Sequence, residues 1–449
     1  MKILKKVAFF ILIILMVFGC KNQQENAEIA TKVVNKKLII PEQVWMVPDS
    51  NDYEDPESIY SFSRFRESEN IAIFWDKEYG NDPAQNDERS KTFNVDSLVM
   101  EGERFFKYYV EELQFLEKGK STTDTTKILM YVFGGENGTA YGSGKDSIGM
   151  LWSPAVRIHQ PPYGALAHEL GHSFQYLTGS DGHFGFKNGG SIWEMTSQWM
   201  LWQVYPNWIE FENYHLQAFL DNTYRAFLHE ENMYHSPFVL EYWSTLHGKT
   251  FIGELWRSSK KGEDPVLTYQ RLTNINQEIF NDEIFDAARR FVTWDLPRID
   301  KVSRKYANIH HSELSALENG WYEIAEKEAP QNYGYNAMAL DVPEDGDAVV
   351  YFEAITESEK FHIVKPEIAG WRYGFLAVTQ DGERHYGEVY SAPENKVSFK
   401  IPVNTRHLWF VVSGAPKEHS IHKIDGDPGN DEQWPYRLKF ENTDLKHEN

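Results

Sequence analysis

Between Gly164 and Trp199 the chain reads GALAHELGHSFQYLTGSDGHFGFKNGGSIWEMTSQW, with three histidines and two glutamates. Residues four apart share one face of a helix, so His168 and His172 can turn their imidazoles toward one point. Two neutral imidazoles held in this way suit Zn²⁺, whose bonds to nitrogen are about 2.0–2.1 Å. Glu169 stands beside the first histidine, placed to take a proton from a metal-activated water without itself ligating. A catalytic zinc needs a third protein ligand and leaves one position for water. Three residues could supply it: Glu194, on the next predicted helix, and His183 and Asp181, both in the glycine-rich loop TGSDGHFG. Spacing and element type favour Glu194. Ser197 and Gln198, one turn beyond it, could orient a histidine or simply face solvent.

The elements around these residues follow from periodicity. Pro161 and Pro162 introduce a helix over about 163–177, and a second runs over about 192–204. Upstream, NIAIFWD (Asn70–Asp76) and KILMYVFGG (Lys127–Gly135) read as strands. Phe105, Tyr109, Leu113 and Leu116 recur at helical spacing between them, behind a cap at Asn94 or Asp96. SIGMLWSPAVRI (Ser147–Ile158) is strand-like, and Pro154 within it predicts an edge strand. Helical segments continue to about Arg304. After about Pro330, short β-branched or aromatic runs between turn residues predict an antiparallel sandwich of about 110 residues.

Composition narrows the function classes. At 449 residues and 41% hydrophobic content the chain can bury large cores, which excludes a disordered or fibrous protein. A formal charge of −22 repels phosphate backbones, so nucleic acid is not an expected partner. The first twenty residues, MKILKKVAFFILIILMVFGC, have a basic start, an apolar run from Val7 to Phe18 and a single cysteine, Cys20. That layout predicts a lipoprotein signal over 1–20 with Cys20 acylated, a lipid anchor in the cell envelope (outer membrane or cell surface), and a polar tether over 21–60. Cys20 is the only cysteine, so internal disulfides and thiol catalysis are excluded.

HELGHSFQY followed by WEMTSQW resembles the gluzincin-type HExxH zinc metallopeptidases, and more closely the uncharacterised bacterial zincin-like lipoproteins with a C-terminal β-sandwich. The motifs cover about Tyr163 to Tyr205; elsewhere the likeness is one of element order. Carried over residue by residue, it implies His168, His172 and Glu194 as Zn²⁺ ligands and Glu169 as general base. Gluzincins also use a downstream Tyr or His to stabilise an oxyanion, for which Tyr234 and His235 are best placed. A metzincin pattern fits less well, since its third histidine would fall on Thr178 and its turn glycine on Gln175.

The resemblance implies an α+β fold: a zincin-like catalytic domain (small sheet plus active-site helix, then a helical subdomain) over 61–328, then an antiparallel β-sandwich over 329–449. It implies a zinc-dependent metallohydrolase, in the first place a peptidase acting on protein, peptide or glycoprotein. The alternative is a surface binding protein, an idle zincin scaffold whose β-sandwich captures glycan or protein. Trp371, Tyr373, Trp409, Phe410 and Trp434 could then line a sugar-binding face, although strand alternation sends about half of such residues into the core. His310 and His311 read as solvated loop residues, and DGDPGND (Asp425–Asp431) as an acidic turn.

Overall fold

Three apolar runs, IAIFW, ILMYVF and IGMLWSP, are buried at every position, as befits strands covered on both faces. They form β2 (Ile71–Trp75), β3 (Ile128–Phe133) and β5 (Ile148–Pro154), which lie parallel in the order β2-β3-β5. Antiparallel β1 (Phe65–Glu67) and β4 (Tyr141–Lys145) flank them at the two edges. Ile71, Ile73 and Trp75 join a large helical core, whereas Ala72 and Phe74 face a second cluster with Val44 and Tyr60. The computed structural model that carries these features describes residues 35–446. The signal segment, Cys20 and residues 21–34 of the expected tether lie outside them.

The tether reading needs correction for residues 36–60. Lys37 bridges Thr126, Val44 and Tyr60 are buried, and this segment covers the face of the sheet opposite the helices. A few apolar anchors in a polar background are enough to dock it. The edge strand also moves. β5 lies inside the sheet, with Pro154 at its final position, where a missing N–H interrupts no later rung. The edge is β4, whose glycines disguise it as a loop. A Cβ at Gly142 would stand 2.7 Å from His172 Cβ and far inside contact with the Glu169 carbonyl oxygen, so only glycine lets the helix lie this close.

Helix α1 (Val95–Lys107) is capped by the Asn94 side chain and crosses between β2 and β3. It is followed by α2 (Gly164–Ser180), α3 (Ile192–Val204), α4 (Trp208–Phe211), α5 (Asn213–Asp221) and α6 (Phe238–His247). Then come α7 (Phe251–Ser258), α8 (Pro265–Thr273), α9 (Gln277–Thr293) and α10 (Asp300–Ser303). No helix among the described residues is long and apolar enough to cross a membrane.

The remaining strands are β6 (Leu314–Ala316), β7 (Trp321–Ile324), β8 (Tyr335–Leu340), β9 (Asp347–Ala354) and β10 (Trp371–Thr379). After them come β11 (Arg384–Tyr386), β12 (Glu394–Lys400), β13 (Thr405–Gly414) and β14 (Tyr436–Glu441). They make two antiparallel sheets, β11-β10-β13-β8 and β12-β9-β14-β7-β6, around a shared apolar core. The second sheet recruits β6 and β7 from ahead of residue 329. The outer face of the first sheet packs on α9, so Tyr335, Leu376 and Trp409 belong to the helical core. From Lys36 onward the chain is one compact unit. The fold is α+β. Trp371, Tyr373, Trp409, Phe410 and Trp434 are all buried, as is His310, which bonds the Tyr335 hydroxyl instead of facing solvent. Burial lowers the His310 pKa to about 3.

Candidate metal centre

Helices α2 and α3 pack closely because Gly171 meets the backbone of α3; a Cβ there would sit 2.9 Å from Ser197 Oγ. The approach brings Glu194, in the first turn of α3, against the histidines of α2. His168 Nε2, His172 Nε2 and Glu194 Oε2 stand 3.1 Å apart in all three pairs. Ligand atoms about 2.0 Å from a tetrahedral ion are about 3.3 Å from one another, so the triangle is nearly one face of a zinc tetrahedron.

The outer nitrogens decide which way the lone pairs point. Gln175 Oε1 accepts from His172 Nδ1 (2.8 Å), and Gln198 Oε1 from His168 Nδ1 (3.2 Å). Each glutamine is oriented in turn by its amide nitrogen. Gln175 Nε2 donates to the Trp193 carbonyl (2.8 Å) and Ser197 Oγ (3.1 Å), and Gln198 Nε2 donates to His215 Nε2 (3.0 Å). With protons assigned to both Nδ1 atoms by this network, both Nε2 lone pairs and a carboxylate oxygen converge on one point. A cation relieves that crowding, and the residues present fit a zinc ion. Protonation does the same in its place. Burial opposes charge on His172, yet hydrogen bonding and charge from Glu194 raise its pKa. Burial likewise opposes ionisation of Glu194, and the two histidines outweigh it, holding this carboxyl well below the usual range.

Glu169 is buried, with its carboxylate within 4.8 Å of the ligand nitrogens of both histidines. Burial raises its pKa, against the opposing charges of His168 and His172, which suits a group that must accept and release a proton. Tyr234 stacks on His168 with ring centroids 6.2 Å apart, and its hydroxyl pKa is raised by burial and by Glu194. His235 lies one layer back, its Nδ1 2.8 Å from His215 Nδ1. Burial, helped by His235, lowers the pKa of His215 to about 3, so His215 stays neutral and passes the orienting chain on from Gln198. Except for His235, these groups line a cleft of about 590 Å³ that also includes Gly142 of β4, Arg157 and Glu212.

The other two candidates for third ligand lie elsewhere. Asp181 ends α2 and accepts from the Thr122 backbone N–H (3.0 Å), and His183 Nε2 is 3.8 Å from Glu117. A second group, His229, Glu230 and His422, is also close enough to hold an ion. There, however, the Arg225 guanidinium stands 3.2 Å from His229 Nε2, and His229 Nδ1 already accepts from the Glu231 backbone N–H. A cation at that nitrogen would face a fixed positive charge. The sequence reading misses His215 and the orienting role of Gln175, which sits three residues beyond His172 on the ligand face.

The chain belongs to DUF6055, a family of unknown function whose model matches residues 30–447. No curated protein matches it. Among solved structures it is similar to the Yersinia pseudotuberculosis-derived mitogen (YPM), over 31% of this chain and 89% of the mitogen, with 8% identity and a TM-score of 0.19. A likeness that low carries no argument.

Proposed function

We propose that this member of a family without an assigned function is a zinc-dependent metallohydrolase of gluzincin type, a peptidase with a zincin-like catalytic fold. The observation that carries the reading is the convergence of His168 Nε2, His172 Nε2 and Glu194 Oε2 with both Nδ1 atoms committed to glutamine carbonyls. These three residues would hold the ion. Zinc, when bound, polarises a carbonyl and lowers the pKa of water.

The chain's own residues do the rest. A substrate peptide lying along the free edge of β4, which carries no further strand among the described residues, is aligned by backbone hydrogen bonds beside α2. Glu169 takes a proton from the attacking water as its oxygen bonds to the carbonyl carbon. Glu169 then delivers that proton to the amide nitrogen as the C–N bond breaks. The Tyr234 hydroxyl, kept protonated by burial, donates to the developing oxyanion, while His235, through His215 and Gln198, helps to hold His168. The rival reading, an idle scaffold with a glycan-binding sandwich, is weakened by the burial of all five aromatics expected to form its face. Export and lipid attachment at Cys20 complete the proposal from sequence alone.

Zinc stoichiometry and digestion of a peptide library test it. Wild type should bind one zinc and cleave, Glu169→Gln should bind zinc without cleaving, and Glu194→Ala should lose affinity. A wild-type protein without zinc, or cleavage profiles identical in wild type and Glu169→Gln, would overturn the assignment.

A further inference from the structure

A second cavity, of about 570 Å³, opens on the other side of Glu194. Trp193 and Glu194 line both it and the cleft that holds the histidines, so the two spaces adjoin. Phe186, Leu228 and Met233 form its apolar wall on the helical side, and Ile421 and Ile424 close it from the segment between β13 and β14. That segment, residues 415–435, contains only one short helical turn, Pro428–Asn430. Structureless stretches of such length inside a compact unit are uncommon, and those that persist are usually functional.

The segment is fastened at intervals. The Pro416 carbonyl accepts from Asn281 Nδ2 (2.9 Å), and His419 joins the Tyr333 hydroxyl to Asp264 (both 2.8 Å). His422 Nε2 is 2.8 Å from Glu230 Oε2, and Asp431 Oδ2 is 3.0 Å from His229 Nε2. Between these anchors Ile421 and Ile424 each remain 52% exposed, and Ile424 Cδ1 lies only 3.4 Å from where a Cβ on Gly190 would be, just ahead of α3. Holding two isoleucines half in water against the entrance to the ligand helix forgoes apolar burial that a looser segment would take. The carboxylates at the rim are already engaged. Glu263 is paired with Arg271 (2.6 Å), and Asp264 accepts from the Leu267 backbone N–H (3.0 Å) as well as meeting His419.

We propose that this cavity is the side-chain pocket of the metal centre, receiving one large apolar side chain, of leucine, methionine or phenylalanine type, from the residue beside the bond to be cleaved. The occupant follows from continuity with the cleft, the apolar walls and the prior engagement of the Glu263 and Asp264 carboxylates. The assignment rests on the peptidase reading and narrows its substrate class to peptides with such a residue at one fixed position. It makes Ile421 and Ile424, more than 220 positions after Glu194, specificity-determining residues.

The test uses the full zinc-loaded chain with N-acetyl-phenylalanine amide and N-acetyl-serine amide as probes, binding read by saturation-transfer NMR, followed by a peptide library. The phenylalanine probe should bind at least tenfold tighter than the serine probe. Ile424→Asp, at a half-exposed position, should remove that preference, and Leu228→Trp, which narrows the cavity at its apolar wall, should weaken it. In the library, cleavage should favour bonds flanked by Leu, Met or Phe, and the preference should fall at least tenfold in Ile424→Asp. Equal binding of the two probes, or an unchanged preference in both variants, overturns the pocket. Cleavage indifferent to apolar residues overturns it while leaving the peptidase standing. Selective probe binding without any cleavage overturns the peptidase and leaves a binding pocket.

Discussion

Replacing Gln175 by Met tests whether the orienting residues decide metal affinity. The Gln175 carbonyl holds His172 Nδ1 at 2.8 Å, and its amide is tied to the Trp193 carbonyl and Ser197 Oγ. Methionine keeps the volume and removes the acceptor. The His172 proton is then free to move to Nε2, the tautomer that cannot ligate, with only Ser197 Oγ, 3.1 Å away, left to hold Nδ1–H. Loss of such a partner typically costs 10- to 100-fold in metal affinity, or about 1.4–2.7 kcal/mol. Adding Ser197→Ala should bring the loss to the upper end of that range, since no acceptor then remains. The assay is competition for zinc against a chromophoric chelator, with circular dichroism to show that α2 and α3 persist. A change in zinc Kd of less than twofold in the double variant, with the fold intact, would refute the reasoning, because the lone-pair geometry would then owe nothing to Gln175.

Three further outcomes follow from particular contacts. Gly142→Ala should cost about 1–3 kcal/mol in urea unfolding and weaken zinc binding, because its methyl collides with the backbone at Glu169 and with His172 Cβ; unchanged stability would mean that β4 does not sit against α2. Glu241 is buried and held by Arg298 through two 2.6 Å hydrogen bonds, so Arg298→Met should leave that carboxylate only the neutral donors Trp199 and Gln203, at a cost of about 3 kcal/mol, read as a fall in Tm, and an unaltered Tm would count against it. Burial keeps His310 neutral to about pH 3, whereas the unfolded chain protonates it near 6.5. Between those values the unfolded state binds one more proton, so stability falls as pH drops, by about 1.4 kcal/mol per unit. His310→Leu should flatten that slope in urea titrations at pH 4.5 and 6.5, and parallel slopes would contradict it.

Much of the candidate centre was legible because its residues obey local rules. The four-residue step from His168 to His172 fixes a shared face on any helix, and Glu194 was singled out by its distance along the chain and its place on the next helix. Strands β2 and β3 were equally plain, since continuous apolar runs bounded by turn residues leave few other choices. Strand β4 was hidden because glycine has low strand propensity, and its two glycines answer to the helix above them, not to the strand they form. Residues 36–60 looked like a tether because polar composition outweighs a few anchors until the sheet they dock on is in view.

From composition and periodicity alone the chain determined an α+β protein with a helix-borne His-Glu-His set and a glutamate within reach of it. Tertiary structure alone decided how Gln175, Gln198 and His215 aim the imidazoles, that Tyr234 and not His235 stacks on His168, and that the β13–β14 segment walls a pocket beside Glu194. The division has a physical cause. Helical and strand periods are set by backbone geometry within a few residues, so they are written into local sequence. Contacts between residues some 200 positions apart depend on how whole elements pack, and no local pattern encodes which of several polar side chains will meet there.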